Sequence, residues 1–379
     1  MRADRTGWCV WGVVALFGCG PGASDAADVG DTDLDAPDTR VDPLDMSLGV
    51  DADVVGVDAD VVGVDVVADV GDTSGGELGR WFSSEMAWDR PVDGLLAHAE
   101  SGAMIAALAE RGGWGNSNRM QIDFSIRVLE HDGSGLRAFV PTDEFYEPDC
   151  DQVAVPVPAG GALEGESGYA CESDGDCHLI VRDRSTDRLF EMWRANIEGD
   201  DFRGGCLVVW DLAATYPPNL RGEGCTSADA AGLPIAPLLF TADEVAAGEI
   251  EHAIRFILPN SRIAHRQYVR PATHATGAAS AVENGMPYGV RLRLRADFPV
   301  DDLPSAGARV VARALQRYGM ILADGGQIAL TAMSDADSTA TWEGLLGPRD
   351  LALLGVTDFE VVDLGPRFDW TGDCERNAP

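Results

Sequence analysis

A long acidic segment limits how much of this chain can fold. Residues 20–79 carry sixteen acidic side chains, fifteen Asp and Glu77, against one base, Arg40, and contain no aromatic residue. Such a segment cannot bury enough apolar surface to offset the conformational entropy that folding removes. The heptapeptide GVDADVV occurs twice from Gly49 and is followed by GVDVVAD. Three short units without the glycine spacing of calcium β-rolls favour a self-repelling spacer over a solenoid.

The residues before this segment indicate export. Arg2 and Arg5 precede an apolar run that ends at Phe17. The run is shorter than the roughly 20 residues that span a bilayer, as is typical of a signal peptide. It ends as Leu-Phe-Gly-Cys, which resembles a bacterial lipobox and predicts that Cys19 becomes a lipidated N-terminus. Gly20 favours the outer membrane, and the alternative is ordinary secretion.

These features divide the chain into three parts. We predict a lipoprotein signal peptide over residues 1–18, a disordered Asp-rich tether over 19–79 and a globular domain over 80–379. The domain carries a formal charge of about −21, so nucleic acid is a poor partner and the lipid provides the membrane contact. All 28 basic residues are arginine, which excludes Schiff-base and Walker-type chemistry. No cofactor is predicted, and no oligomeric state is indicated.

Cysteine usage in the domain predicts disulfides. An even number in an exported chain is typical of a disulfide framework. Cys171 and Cys177 flank a loop of polar residues and form the first predicted pair, and Cys206 with Cys225 forms the second. Zinc requires a second close pair to complete its site, so no metal is predicted. The six cysteines are Cys150, Cys171, Cys177, Cys206, Cys225 and Cys374.

The hydrophobic pattern of the domain predicts mainly strands. Alternating or continuous apolar segments separated by turn residues cover most of it, and their number favours an antiparallel, jelly-roll-like β-sandwich with a few inserted helices. The predicted strands are 121–130, 177–183, 188–196, 206–212, 249–258, 289–298, 324–332 and 358–364.

Four helices are expected among these strands. Ser305 is placed to cap the longest, which is expected to end at Gly319, and Thr241 is placed to cap a short one. The others are expected within residues 80–115 and in LGPRDLALLG, residues 346–355.

The stretch RGEGCTSADAAGLPI, residues 221–235, looks like a nucleophile turn but lacks the G-x-S-x-G pattern. We interpret it as a turn in which Cys225 forms a disulfide and Ser227 or Thr226 caps a helix starting at Ala228. Asp229 then lies in the first turn, where the helix dipole favours negative charge.

Several blocks of the chain, in one order, resemble a family of secreted bacterial β-rich proteins that has no established activity. The resemblance covers residues 177–364 and implies export and a shared fold, but it transfers no catalytic residue. It also implies that TSADAAGLP, EHAIRF and YGMILAD are fixed elements of one site or one core. The blocks are GCTSADAAGLPIAP, EVAAGEIEHAIRF, RPATHA, PYGVRLRLRADF, RYGMILADGG and DFEVVDL.

One strand carries an acid beside an indole. Alternation places Glu191 and Trp193 on the same face, an arrangement typical of a sugar subsite in which the ring stacks and the acid acts. The leading hypothesis is a surface protein that binds or processes glycans, with a polysaccharide as partner. Glu191 is then the general acid or nucleophile, Asp211 or Glu249 its partner, and Trp193 the stacking platform, as in a glycoside hydrolase.

The alternative is a noncatalytic structural or assembly lipoprotein of the cell envelope. His252 lies on the apolar face of its predicted strand, which is typical of a hydrogen-bonded core histidine. Glu249 and Glu251 then form a solvated face with Arg255. In this interpretation His252 and Asp229 fix the core, and in the glycan hypothesis they are candidate binding residues.

Overall fold

A computed structural model describes residues 80–173, 175–277 and 285–377. The predicted signal peptide, the lipidation site at Cys19 and the acidic tether lie outside these residues. Within them, no helix has both the length and the apolar character needed to cross a bilayer.

The described residues contain more strand than helix, 27% against 17%, and the strands are arranged in several sheets. The strands are β1 Ile122–Ile126, β2 Val128–Glu130, β3 Leu136–Arg137, β4 Val140–Pro141, β5 Val155–Pro156, β6 Leu179–Asp183, β7 Arg188–Trp193, β8 Asn196–Glu198, β9 Asp201–Gly204, β10 Cys206–Asp211, β11 Gly222–Glu223, β12 Ile254–Leu258, β13 Ile263–Tyr268, β14 Met286–Tyr288, β15 Arg291–Leu294, β16 Met320–Gly325, β17 Leu330–Met333, β18 Phe359–Val362, β19 Phe368–Asp369 and β20 Glu375–Arg376.

The α-helices are few, and two of them have N-terminal side-chain caps. Ser305 accepts a hydrogen bond from the Ala308 amide at the start of the longest helix, as its position predicts. Thr241 forms a capping box with Glu244, and that helix ends at Gly248 in the left-handed region. The α-helices are α1 Ser101–Glu110, α2 Gly115–Asn118, α3 Ala242–Ala247 and α4 Ala306–Arg317.

The largest sheet has six strands in the order β1-β17-β12-β16-β15-β18, with α1 packed on β18 and α4 on β15. Its pairs β1·β17 and β12·β16 are parallel, whereas its other pairs are antiparallel. The mainly β class is therefore confirmed. The purely antiparallel pairing is wrong for these strands, and a jelly-roll arrangement is not confirmed.

A second sheet, in the order β10-β7-β6-β2, lies between two hydrophobic cores. One face carries Ile180, Val208 and Trp210 into the large core that also covers the six-stranded sheet. The other face carries Phe190 and Leu207 into a smaller core. Because both faces are covered at the middle of the sheet, a polar side chain there has to find its partners inside the protein.

Some predicted elements differ from the observed ones. Residues 121–130 divide into β1 and β2, which belong to different sheets. The predicted strand 249–258 begins only at Ile254, and residues 346–355 form turns rather than a helix. In the 221–235 stretch, the predicted helix starting at Ala228 does not form. There the Ser227 hydroxyl donates to the Leu233 carbonyl at 2.6 Å and accepts from the Asp229 amide, which closes a tight turn instead.

Three disulfides join the six cysteines. Cys171–Cys177 is confirmed as predicted. The predicted pair Cys206–Cys225 is wrong, because Cys206 bonds Cys150 and Cys225 bonds Cys374. The second of these bonds lies beside the antiparallel pair β11·β20, which brings the last described residues to the 221–235 turn.

Candidate functional site

Glu191 lies in the middle of β7 and is 0% exposed. Its carboxylate accepts hydrogen bonds from Nε1 of Trp210 at 2.9 Å and from the amides of Ile235 and Ala236 at 2.9 and 2.8 Å. Burial raises the pKa of Glu191 to about 7, and these N–H donors oppose the rise. The side chain therefore ties the 234–238 turn to the sheet, on a face closed to solvent.

The other residues of the predicted sugar subsite lie apart from it. Trp193 is partly buried and donates its Nε1–H to Asp176 at 2.9 Å. Asp211 is exposed at the end of β10, and Glu249 is exposed and pairs with Arg317 at 2.7 Å. Glu191 is buried whereas Asp211 and Glu249 are exposed, so the three predicted acids do not share one open surface.

The three blocks that the resemblance singles out do meet in one place. Arg255 of EHAIRF donates from Nε and Nη2 to both carboxylate oxygens of Asp229 in TSADAAGLP, at 2.9 and 3.0 Å. Its Nη2 lies 3.4 Å from Asp324 of YGMILAD, and its Nη1 donates to Thr331 at 2.8 Å. We call these four residues the Arg255 cluster. Arg255 is 4% exposed and Asp229 is 0% exposed.

The cluster corrects the expected role of Arg255. The prediction that Arg255 shares a solvated face with Glu249 and Glu251 is wrong, because the strand starts at Ile254 and Arg255 points into the core. Asp324 is the member nearest to solvent, with 26% of its side chain exposed. Burial, together with the Asp229 carboxylate, raises the pKa of Asp324 to about 7, and Arg255 opposes the rise.

A second ion pair, Glu164 with His178, adjoins the 221–235 turn that carries Asp229. The His178 Nδ1 lies 2.5 Å from the Glu164 carboxylate, and its Nε2 lies 3.1 Å from the Ala228 carbonyl. Both ring nitrogens face acceptors, so the ring is a doubly protonated imidazolium. Burial disfavours the charge, but the Glu164 carboxylate outweighs it and raises the pKa of His178 to about 9.

His252 is 2% exposed, as its apolar face predicts. Its Nδ1 lies 2.9 Å from the Ala253 carbonyl, and its Nε2 lies 3.3 Å from Glu244. Burial alone would lower the pKa of His252, but the Glu244 carboxylate more than compensates, so the pKa is raised above its usual value. The ring therefore connects the capping box of α3 to the segment that enters β12.

One group of potential metal ligands occurs in the described residues. Glu166, Cys171 and Cys177 place their ligand atoms within 4.8 Å of one another. The two sulfurs are bonded to each other, so they offer no thiolate in this structure.

A cleft of about 1070 Å³ lies beside the smaller core, and we call it the Arg188 cleft. Phe190 and Val209 form part of its floor, and Leu136 and Val153 are exposed at its edge. Alternation along β7 places Arg188 and Phe190 on the face opposite to Glu191. Polar residues of the lining include Asp151, Asp183, Thr186, Arg188, Asp211, Tyr216, Arg376 and Asn377.

Arg188 lies between two acids in this cleft. In the sheet register it is directly opposite Asp183 on β6 and Asp211 on β10. Asp183 accepts hydrogen bonds from Ser185 and Thr186 at 2.6 and 2.8 Å, which fixes its carboxylate. Among the described residues the Arg188 side chain forms no hydrogen bond and no ion pair. Its donors, and one oxygen of Asp211, are available to a ligand.

Sequence reasoning found Asp211 but missed Arg188 and Tyr216. Arg188 begins the strand that carries Glu191, and the alternation of side chains along a strand places Arg188 and Phe190 on one face. That Phe190 lines a cleft while Glu191 is buried depends on how the two faces of the sheet are packed, and the local sequence pattern does not report this packing.

No protein-family model, curated protein or solved structure matches this chain at a significant level. The family resemblance of residues 177–364 therefore stays a prediction, and the geometry carries the functional argument.

Proposed function

We propose that this protein is a lipid-anchored, extracytoplasmic protein that binds glycans in the Arg188 cleft. The observation that carries the proposal is the combination of an apolar floor with an unpaired arginine between two carboxylates. Sugars present an apolar C–H face for the floor and vicinal hydroxyls for Arg188 and Asp211. The predicted β-sandwich remains part of the proposal, supported by the four-stranded sheet with apolar residues on both faces.

The proposed location rests on the cysteines and the N-terminal pattern. Three disulfides within the described residues indicate an oxidising, extracytoplasmic environment. Cys19 and the acidic tether would then hold the domain at the outer membrane. Metabolic labelling with an alkyne fatty acid is expected to mark the wild type and not Cys19→Ser, and labelling of both would contradict the anchor.

Binding is better supported than cleavage. Of the three acids expected to act on a glycosidic bond, Asp211 lines the cleft, Glu191 is sealed in the core and Glu249 pairs with Arg317. The alternative, a noncatalytic assembly lipoprotein, is favoured by the buried Arg255 cluster, which fixes the core without presenting a ligand surface.

A glycan array on the secreted Cys19→Ser chain tests the proposal. Polysaccharide binding is expected, with roughly tenfold weaker binding for Arg188→Gln and Asp211→Asn, the size of a lost hydrogen bond to a charged group. Arg295→Gln, which removes an exposed arginine paired with Asp297, is the matched control. If no polysaccharide binds to the array, or if all variants bind equally, the proposal is contradicted and the assembly role is favoured.

A further inference from the structure

The loop closed by Cys171–Cys177 has a third potential metal ligand beside its two sulfurs. The Glu166 carboxylate lies within 4.8 Å of both of them. Its Oε1 is 3.6 Å from Sγ of Cys177. A sulfur and an oxygen bound to one tetrahedral zinc ion also lie about 3.6 Å apart, given Zn–S and Zn–O distances of about 2.3 and 2.1 Å. Glu166 therefore already has the spacing of a zinc ligand relative to one of the sulfurs.

The two cysteines are also held in place by contacts other than the disulfide. The Cys171 amide donates to Oδ1 of Asn196 at 2.9 Å. The Cys177 carbonyl accepts from the amide of Ala195, a residue of the smaller core, at 3.3 Å. Because these bonds do not involve the sulfurs, opening the disulfide leaves both side chains beside Glu166, where they can act as two separate ligands.

One sulfur of this disulfide is within reach of a reductant. Cys171 is partly exposed, whereas Cys177 is 1% exposed. A thiolate of a dithiol reductant attacks Sγ of Cys171, which forms a mixed disulfide and releases Cys177 as a thiolate. The second thiolate of the reductant then attacks its own sulfur in the mixed disulfide, which releases Cys171 and leaves the reductant as a disulfide. Two electrons pass to the protein, and the two protons of the dithiol pass to solvent when the cysteines bind a metal as thiolates.

The other two disulfides have no such third ligand. Within residues 80–173, 175–277 and 285–377, only the Cys171–Cys177 pair is grouped with a further carboxylate or imidazole at ligand distance. Two thiolates with one carboxylate suit Zn²⁺, whereas Ca²⁺ takes oxygen ligands only. Three protein ligands leave the fourth tetrahedral position to water.

We propose that Cys171, Cys177 and Glu166 form a redox-gated zinc site. In the oxidised chain the sulfurs are bonded to each other and cannot act as thiolate ligands. In the chain reduced by a dithiol, the two thiolates and the carboxylate bind one zinc ion. The loop contacts the Trp193 end of β7, at the opposite end of the strand from Arg188, so the site is independent of the proposed glycan binding.

The test compares zinc binding by the oxidised and the reduced form of the secreted Cys19→Ser chain. Limited treatment with dithiothreitol is expected to open one disulfide, and alkylation with peptide mass spectrometry is expected to find the thiols at Cys171 and Cys177. After anaerobic removal of the reductant, competition with a chromogenic chelator is expected to show one more zinc ion per reduced chain than per oxidised chain. The oxidised chain accounts for zinc bound by the acidic tether. Co²⁺ is expected to give thiolate-to-cobalt charge-transfer absorption in the reduced form alone.

Glu166→Gln separates a three-ligand site from a simple pair of thiols. It is expected to weaken zinc binding by the reduced chain at least as much as the loss of an outer-shell partner, about tenfold to a hundredfold. The amide oxygen can still accept from the Ser173 amide, as Glu166 does at 2.9 Å, so the loop keeps this contact. Glu172→Gln is the matched control, because it removes an exposed acid of the same loop that is not one of the three ligands.

Four results would overturn the proposal. They are equal zinc binding by the two forms, the absence of cobalt–thiolate absorption, an unchanged affinity in Glu166→Gln, and reduction of either of the other disulfides before Cys171–Cys177. Calcium binding that appears on reduction, as zinc binding is expected to, would contradict the assignment of thiolate ligands.

Discussion

Two arginine–carboxylate pairs show how burial decides what one side chain contributes. Arg255 is 4% exposed and bidentate to a fully buried Asp229. Arg317 and Glu249 meet at 2.7 Å with about half of each side chain in solvent. An exposed pair is screened by water, whereas a buried charge that loses its partner cannot be solvated.

Arg255→Met is therefore expected to lower the free energy of unfolding by about 3–5 kcal/mol, because Asp229 is left buried without its partner. Arg317→Met is the matched control and is expected to cost less than about 1 kcal/mol. Urea unfolding followed by tryptophan fluorescence measures both. A similar small cost for the two variants would show that Asp229 finds another partner.

His178 predicts a particular pH dependence of stability. Its pKa is raised to about 9 in the folded chain, against an unperturbed value near 6.5. A raised pKa means that the folded state binds the proton more tightly. This contribution is fully present below about pH 6.5 and is lost as the pH rises through about 9. The Glu164 carboxylate is the cause.

The measurement is the difference in unfolding free energy between wild type and His178→Gln from pH 5 to pH 9.5. The difference is expected to shrink as the pH rises through the upper end of this range. Groups such as Glu191 titrate in both proteins and cancel, whereas Glu164 loses its cationic partner in His178→Gln and affects the difference at the acidic end of the range. A difference that stays constant over this range would contradict the imidazolium assignment.

At the scale of elements, the turn between β14 and β15 depends on Gly289. This residue has φ +82°, and a Cβ there would lie 1.9 Å from the Val269 carbonyl oxygen. Gly133 has φ +86° with open space around it. The two glycines share the left-handed conformation and differ in the room for a side chain.

Gly133→Ala is expected to cost about 1 kcal/mol, the strain of a left-handed alanine. Gly289→Ala is expected to cost several times more, because the backbone at Val269, which follows β13, has to move as well. Thermal unfolding by circular dichroism compares the two variants. Equal losses would mean that strain alone matters at residue 289.

The strands that could be predicted are those whose pattern and boundaries are local. β7 and β10 were expected within a few residues, since alternation and flanking turns mark them. Residues 249–253 also alternate, yet they form no strand because His252 binds Glu244 and the Ala253 carbonyl instead. Parallel pairing of β12 with β16 depends on contacts across more than sixty residues, which no local pattern reports.

For the whole molecule, the disulfides differ in the length of chain that they close. Cys225–Cys374 spans 149 residues and Cys171–Cys177 spans 6. Chain entropy alone predicts that the first contributes about 5 kcal/mol and the second about 2 kcal/mol. Replacing each pair by alanines is therefore expected to destabilise the protein unequally. Urea unfolding of the two double variants checks this, and a larger loss for the shorter loop would contradict it.

The Arg255 cluster shows why sites resist prediction at this scale. Asp229, Arg255 and Asp324 were each visible, and the resemblance grouped their blocks. Their partners were not visible, because the register of β12 with β16 and the turn at Ser227 decide which charges meet. The Arg188 cleft is harder to predict, because it depends on which part of a sheet covered on two faces remains exposed to solvent.

The bond between Cys225 and Cys374 also has a consequence for biogenesis. In the vectorial export that we propose, Cys225 emerges well before its partner, at a time when Cys206, only 19 residues away, is already outside. Pairing in order of emergence would join Cys150 to Cys171 and leave Cys206 free to bond Cys177 or Cys225, whereas in the native pattern Cys150–Cys206 encloses Cys171–Cys177. We expect maturation to depend on a disulfide isomerase, and the corner around Asp229 to be locked only after translocation of the later residues.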